Sequence, residues 1–208
     1  MATFAAGDAP TLGYHKIRGL AAPLRMMLYA KKQAHKSVAY GADMPDAWFG
    51  GDKPELQKKN TCANLPYVVD GDVVVTQSNT CALYLGAKLG IDAFGGDLVK
   101  ATTNHTVLDQ TMDLRNDLMK VVYPFGSTKT PEEFPEAFKK HFAKSASATL
   151  KKLEGFIGAG PFVLGADPRS GDFMLFEMRG DRAEFSFASD GRGRVATAYR
   201  RLRGRVRG

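Results

Sequence analysis

Between residues 67 and 75 the chain sets two β-branched runs, Tyr67-Val68-Val69 and Asp72-Val73-Val74-Val75, on either side of Asp70-Gly71. Asp-Gly suits a tight turn between such runs, so the stretch predicts an antiparallel hairpin. Its surroundings narrow the fold further. Gln77-Ser78-Asn79 puts small polar residues where a helix can begin, and a helix is expected over 80–89. Upstream, residues 11–15 read as a short strand and Arg18-Gly19-Leu20 as a turn. Leu24, Met27, Leu28 and Lys31, three and four apart, predict a helix over 21–33. Residues 37–40 suit a second short strand. The polar stretch 41–64, rich in Gly, Asp and Lys, reads as a long loop with about one helical turn.

After Gly90 and Gly95-Gly96 the character changes. Residues 97–125 and 132–157 predict two long helices, broken at Pro124 and around Pro131. Phe134, Phe138, Phe142, Leu150, Leu153 and Ile157 recur at a broadly helical spacing in the second. The order βαβ, then ββα, then helices alone gives an α/β domain over 1–90 and an all-α helical domain over 97–185. Residues 186–208 are an Arg/Gly-rich tail of a different composition.

The formal charge of +7 is unevenly spread. Residues 179–208 hold nine arginines, no lysine and three acids, a net +6, while residues 1–178 carry sixteen lysines, four arginines and a net +1. The basic balance therefore gives the body no argument for binding nucleic acid or membranes. No apolar run reaches the roughly 18 to 20 residues of a membrane span, and the first ten residues lack the pattern of a signal peptide. Cys62 and Cys81 cannot build a disulfide framework and have no metal-ligand spacing, so no metal is expected. Asn104-His105-Thr106 fits a glycosylation sequon but reads better as an incidental helical triplet. These features predict a cytoplasmic protein.

Three blocks of sequence carry a resemblance. Leu12-Gly13-Tyr14-His15-Lys16-Ile17-Arg18-Gly19-Leu20 resembles the opening of the mu-like cytosolic glutathione transferases. Asn64-Leu65-Pro66-Tyr67-Val68-Val69-Asp70-Gly71, followed by Thr76-Gln77-Ser78-Asn79, is a second match, and Asp109-Gln110-Thr111-Met112-Asp113 is a third. Sigma-like relatives share much of this layout. The resemblance implies a thioredoxin-like domain followed by a helical one, no cofactor, glutathione as co-substrate and a small hydrophobic electrophile as its partner in the reaction.

Residue by residue, the resemblance makes Tyr14 the catalytic hydroxyl. Free thiols titrate near pKa ~8.5 and are poor nucleophiles while protonated. A hydroxyl that donates to the sulfur favours the thiolate. Leu65, ahead of a cis Pro66, would present backbone to the cysteinyl part, with Asn64 on the ligand side of the loop. Gln77 and Ser78 would hold the glutamyl end where helix N-terminal amides favour a carboxylate; Ser78 as a simple N-cap is the plainer alternative. Trp48 matches a tryptophan at the glycyl end. Four residues later the mu-like pattern has a lysine where this chain has Asp52, and Lys53 fills that role if the loop is shifted. His15 stands where a tryptophan is usual.

Asp113 matches an acid that reaches across a two-fold axis to the neighbouring subunit's glutathione, which implies a homodimer; pairing with Arg115 is the alternative. Tyr123 matches a tyrosine over the electrophile pocket, with helix packing as its alternative. Near the expected start of a later helix Asp172 fits, but position 169 is Arg where the family has a capping hydroxyl. The resemblance ends after Met178. Isomerisation of a lipid peroxide and a non-catalytic ligand-binding or scaffold role remain as other readings. Nucleic-acid binding rests on the tail alone, where Phe185, Phe187 and Tyr199 are sparse for stacking.

Overall fold

A computed structural model describes Phe4, residues 9–122, residue 130 and residues 132–179. The Arg/Gly-rich tail and Tyr123 lie outside the described residues. Two compact units divide after Gly96.

The first unit is built on a four-stranded sheet of order β2-β1-β3-β4. Strand β1 (Thr11–His15) leads through a 3-10 turn (Gly19–Ala21) into α1 (Ala22–Ala30) and returns as β2 (Lys36–Tyr40), parallel to β1. Strands β3 (Tyr67–Asp70) and β4 (Val73–Thr76) form the hairpin, with β3 antiparallel to β1, and α3 (Ser78–Lys88) follows. This is the expected thioredoxin-like arrangement. Helix α1 buries Leu24, Met27 and Leu28 as its spacing requires. It stops at Ala30, short of Gln33, because Lys32 turns to φ 53 and the Gln33 amide donates back to Leu28 O at 2.9 Å. That closure is a left-handed C-terminal cap built without glycine.

The stretch read as a loop differs most. Residues 45–52 (Pro45–Asp52) form a widened π-helical segment that runs directly into α2 (Lys53–Gln57). Pro45 suits the first helical turn, and buried Trp48 anchors the segment while Asp46 is exposed. With a single strong apolar anchor and two glycines, the segment had no periodicity to read.

The second unit is helical, as expected. Helix α4 (Leu98–Val122) is followed by α5 (Phe134–His141), a π-helical turn (Phe142–Ala146) and α6 (Ser147–Ile157), where one continuous helix was predicted. Val107, Leu153, Ile157, Val163 and Leu175 form its core, the last from α7 (Ser170–Arg179). None of the helices among the described residues is long and apolar enough to cross a membrane.

Helix α7 solves its capping problem from a distance. Asp172 reaches back to accept from the Arg169 amide at 2.9 Å, and its second oxygen accepts from the Val163 amide at 3.0 Å. The other half of a capping box, a side chain on an early helical amide, cannot come from Arg169. Asn104 of α4 supplies it. Its Oδ1 accepts from the Gly171 amide at 2.9 Å while its Nδ2 donates to Ser170 Oγ at 2.8 Å. Asn104 is fully buried, so the sequon reading is excluded by a structural role. Replacing Asn104 with Ala should strip a buried amide and a hydroxyl of their partners, at a cost of about 2–3 kcal/mol. Urea unfolding of the variant against the parent checks this.

Candidate active site

Strand register brings the predicted residues together. Gly13 pairs with Tyr67 across β1 and β3, and Tyr67 pairs with Thr76 across β3 and β4. The next residues outward are Tyr14, Pro66 and Gln77. They stand in one row at the same end of the sheet, with about 4.8 Å between neighbouring strands. Each was singled out from a different sequence block.

Tyr14 is 4% exposed, and its ring is clamped by the turn that follows. A Cβ added to Gly19, which has φ +42, would lie 2.8 Å from the Tyr14 hydroxyl and 2.7 Å from Cε1. Arg25 closes the turn by donating to Ile17 O and Arg18 O, both at 3.3 Å. The His15 ring meets Tyr14 edge-on at 5.0 Å. Among the described residues the Tyr14 hydroxyl has no protein hydrogen-bond partner.

The Leu65-Pro66 bond is cis. Thr76 ties this loop to the end of β4: its Oγ1 accepts from the Asn64 amide at 3.1 Å and donates to Asn64 O at 2.8 Å. Asn64 turns its side-chain oxygen to the Leu65 amide at 3.0 Å. Thr76 had appeared in the sequence only as part of a matching block; its clamp role shows once the register is known. Gln77 then adopts φ 72, ψ 128 and takes the N-cap position of α3. Ser78 is therefore the first helical residue and not the cap, and the Gln77 side chain makes no capping hydrogen bond. Backbone amides at the start of a helix are a natural anion site.

Trp48 is 1% exposed and stacks on Tyr67 with ring centroids 5.8 Å apart, while Tyr40 lies 5.2 Å away. Lys53 holds its ammonium 5.4 Å from the centre of the Phe49 ring. Asp113 is exposed on α4 and, among the described residues, makes no ion pair with Arg115. Burial pushes the Tyr40 and Tyr67 hydroxyls to pKa values above the ordinary tyrosine range, and the bond from Tyr40 to Asp52 raises Tyr40 further. Tyr40 and Asp52 carried no signal in the sequence beyond the unexpected acid at 52.

The cysteines differ sharply. Cys81 is buried in α3, its thiol pushed up to about 12 by burial, and Cys62 is exposed. A thiol reagent should label Cys62 alone in the native protein and both cysteines after denaturation, as counted by mass spectrometry. Among the described residues no cluster of three or more His, Cys, Asp or Glu could hold a metal.

Comparison with known proteins agrees with this geometry. The profile of the glutathione S-transferase N-terminal domain matches residues 10–87. A class-mu 26 kDa glutathione S-transferase isozyme of Fasciola hepatica is 31% identical over 166 residues, 80% of this chain and 70% of that protein. Glutathione S-transferase Mu 1 of Oryctolagus cuniculus is 31% identical over 173 residues, 81% of this chain and 73% of that protein. A pi-class glutathione S-transferase of Onchocerca volvulus shares the fold at a TM-score of 0.73 and 20% identity, over 95% of this chain and 88% of that one. Sequence relatives and fold agree, and the chain belongs to the glutathione S-transferase family of enzymes.

Proposed function

We propose that this enzyme binds glutathione on its first unit, ionises the thiol through the Tyr14 hydroxyl and directs the thiolate at small hydrophobic electrophiles. The observation that carries the reading is the row of Tyr14, Pro66 and Gln77 across β1, β3 and β4. An extended peptide laid along that end of the sheet meets backbone at Leu65 and Pro66, then the N-terminal end of α3 for a carboxylate, with the Tyr14 hydroxyl beside its thiol. Gln77 and Ser78 hold the glutamyl end, Asn64 and Leu65 the cysteinyl part, and Trp48 and Lys53 the glycyl end. Tyr123 keeps the electrophile role that the resemblance implies. Assembly as a homodimer, with Asp113 offered to the neighbouring copy, and a detoxifying role in the cytoplasm complete the reading. The Asp113 carboxylate is exposed and makes no ion pair among the described residues, which suits such a contact.

Calorimetric titration with glutathione, joined to thiolate absorbance across pH, tests it. The expected result is binding with the thiol titrating well below its free value. A bound thiol that titrates like free glutathione would sink the proposal.

A further inference from the structure

Two hydroxyls and a carboxylate form a directed chain beneath the segment that carries Trp48 and Lys53. Tyr40, the last residue of β2, donates to Asp52 Oδ2 at 2.5 Å, and its oxygen lies 2.8 Å from the Tyr67 hydroxyl. An ionised carboxylate can only accept. The single Tyr40 proton therefore goes to Asp52, and Tyr67 must donate to Tyr40. Both tyrosines are 3% exposed, so their end of the chain is held in the core, while Asp52 lies at its exposed end.

The two ends of the chain act on different parts of the site. Asp52 closes the π-helical segment that holds Trp48 and stands next to Lys53. Tyr67 lies over Gly13, the residue before Tyr14: a Cβ at Gly13 would fall 2.1 Å from the Tyr67 ring. Asp52 does not neutralise Lys53, whose ammonium sits over Phe49. The carboxylate at 52 is thus directed to Tyr40, and among the described residues it makes no ion pair with the lysine beside it.

We propose that Asp52 is a positioning residue for the glutathione site: through Tyr40 it latches the segment bearing Trp48 and Lys53 to the sheet. The inference rests on the assignment of glutathione to this unit. Loosening the latch weakens the grip on the peptide while leaving the Tyr14 hydroxyl in place.

Steady-state kinetics with glutathione and a chlorodinitrobenzene electrophile test it in Asp52→Ala, Tyr40→Phe and the double variant. Each single change should raise KM for glutathione about five- to tenfold, with kcat altered by less than about twofold. The double variant should match the worse single one, since both remove the same hydrogen bond. Asp52→Asn, which still accepts from Tyr40, should stay within about twofold of the parent. Unchanged KM in both single variants, a fall in kcat alone, or effects that multiply in the double variant would overturn the latch. If Asp52→Ala does not fold, Tyr40→Phe keeps the ring and decides the matter. Tyr14→Phe run alongside separates the two ideas. If it keeps thiol ionisation, the catalytic reading fails; if it loses ionisation while the latch variants keep their KM, only the latch fails.

Discussion

Replacing Tyr14 with Phe should cut kcat/KM for thiol conjugation by about a hundredfold or more, the usual cost of removing one donor to a developing anion. The ring stays, so the packing against Gly19 and His15 is preserved and the variant should fold with an unchanged melting temperature. Only the hydroxyl is lost, and it is the group without a protein partner among the described residues. Each unit by which the thiol pKa rises corresponds to about 1.4 kcal/mol of lost thiolate stabilisation. On the proposed reading glutathione should still bind, because the groups assigned to its two ends, at Trp48, Lys53, Gln77 and Ser78, are unchanged. Thiolate absorbance of the bound peptide against pH, in parent and variant, gives the answer. A variant that still ionises the thiol would remove Tyr14 from the chemistry.

Replacing Gly13 with Ala should lower the melting temperature by about 6–12 °C, through overpacking of about 3 kcal/mol. The new methyl would sit 2.1 Å from the Tyr67 ring, well inside any permitted contact. That ring cannot simply swing aside. Trp48 stacks on it and Tyr40 holds its hydroxyl at 2.8 Å. Strand β1 must give way, and Tyr14 is the next residue along it, so activity should fall with stability. Thermal unfolding of Gly13→Ala, and of the same change combined with Tyr67→Ala, tests the cause. The combined variant should lose less than the sum of the two single changes.

Sequence alone made these local features legible for clear reasons. Strands β3 and β4 announce themselves through β-branched runs and an Asp-Gly turn, whose physics is confined to a few residues. Tyr14, Pro66 and Gln77 could be named singly. That they form a row depends on register, which the hairpin fixes only once β1 is known to pair beside it. The segment 45–57 was hidden because one tryptophan anchors it and no repeating apolar face marks it. The helix cap of α7 was hidden for a different reason. Local sequence offered Arg169, which cannot serve, while Asn104 lies 66 residues from the Ser170 it binds. The long-range hydrogen bond from Tyr40 to Asp52 was beyond reach in the same way, although the acid at 52 marked the place.

The order of the strands also sorts the site by how freely it can change. Tyr14 stands on β1, which has a neighbour on both sides, so a shift there would disturb two ladders at once. Trp48, Asp52 and Lys53 hang from β2, which has one free side, and a short polar latch fastens them. On the proposed reading, thiol chemistry is thereby anchored in the middle of the sheet, while the grip on the far end of the peptide is carried at its margin. Such a layout allows the recognition segment to be exchanged, lengthened or retuned across a lineage while the reacting hydroxyl stays where it is.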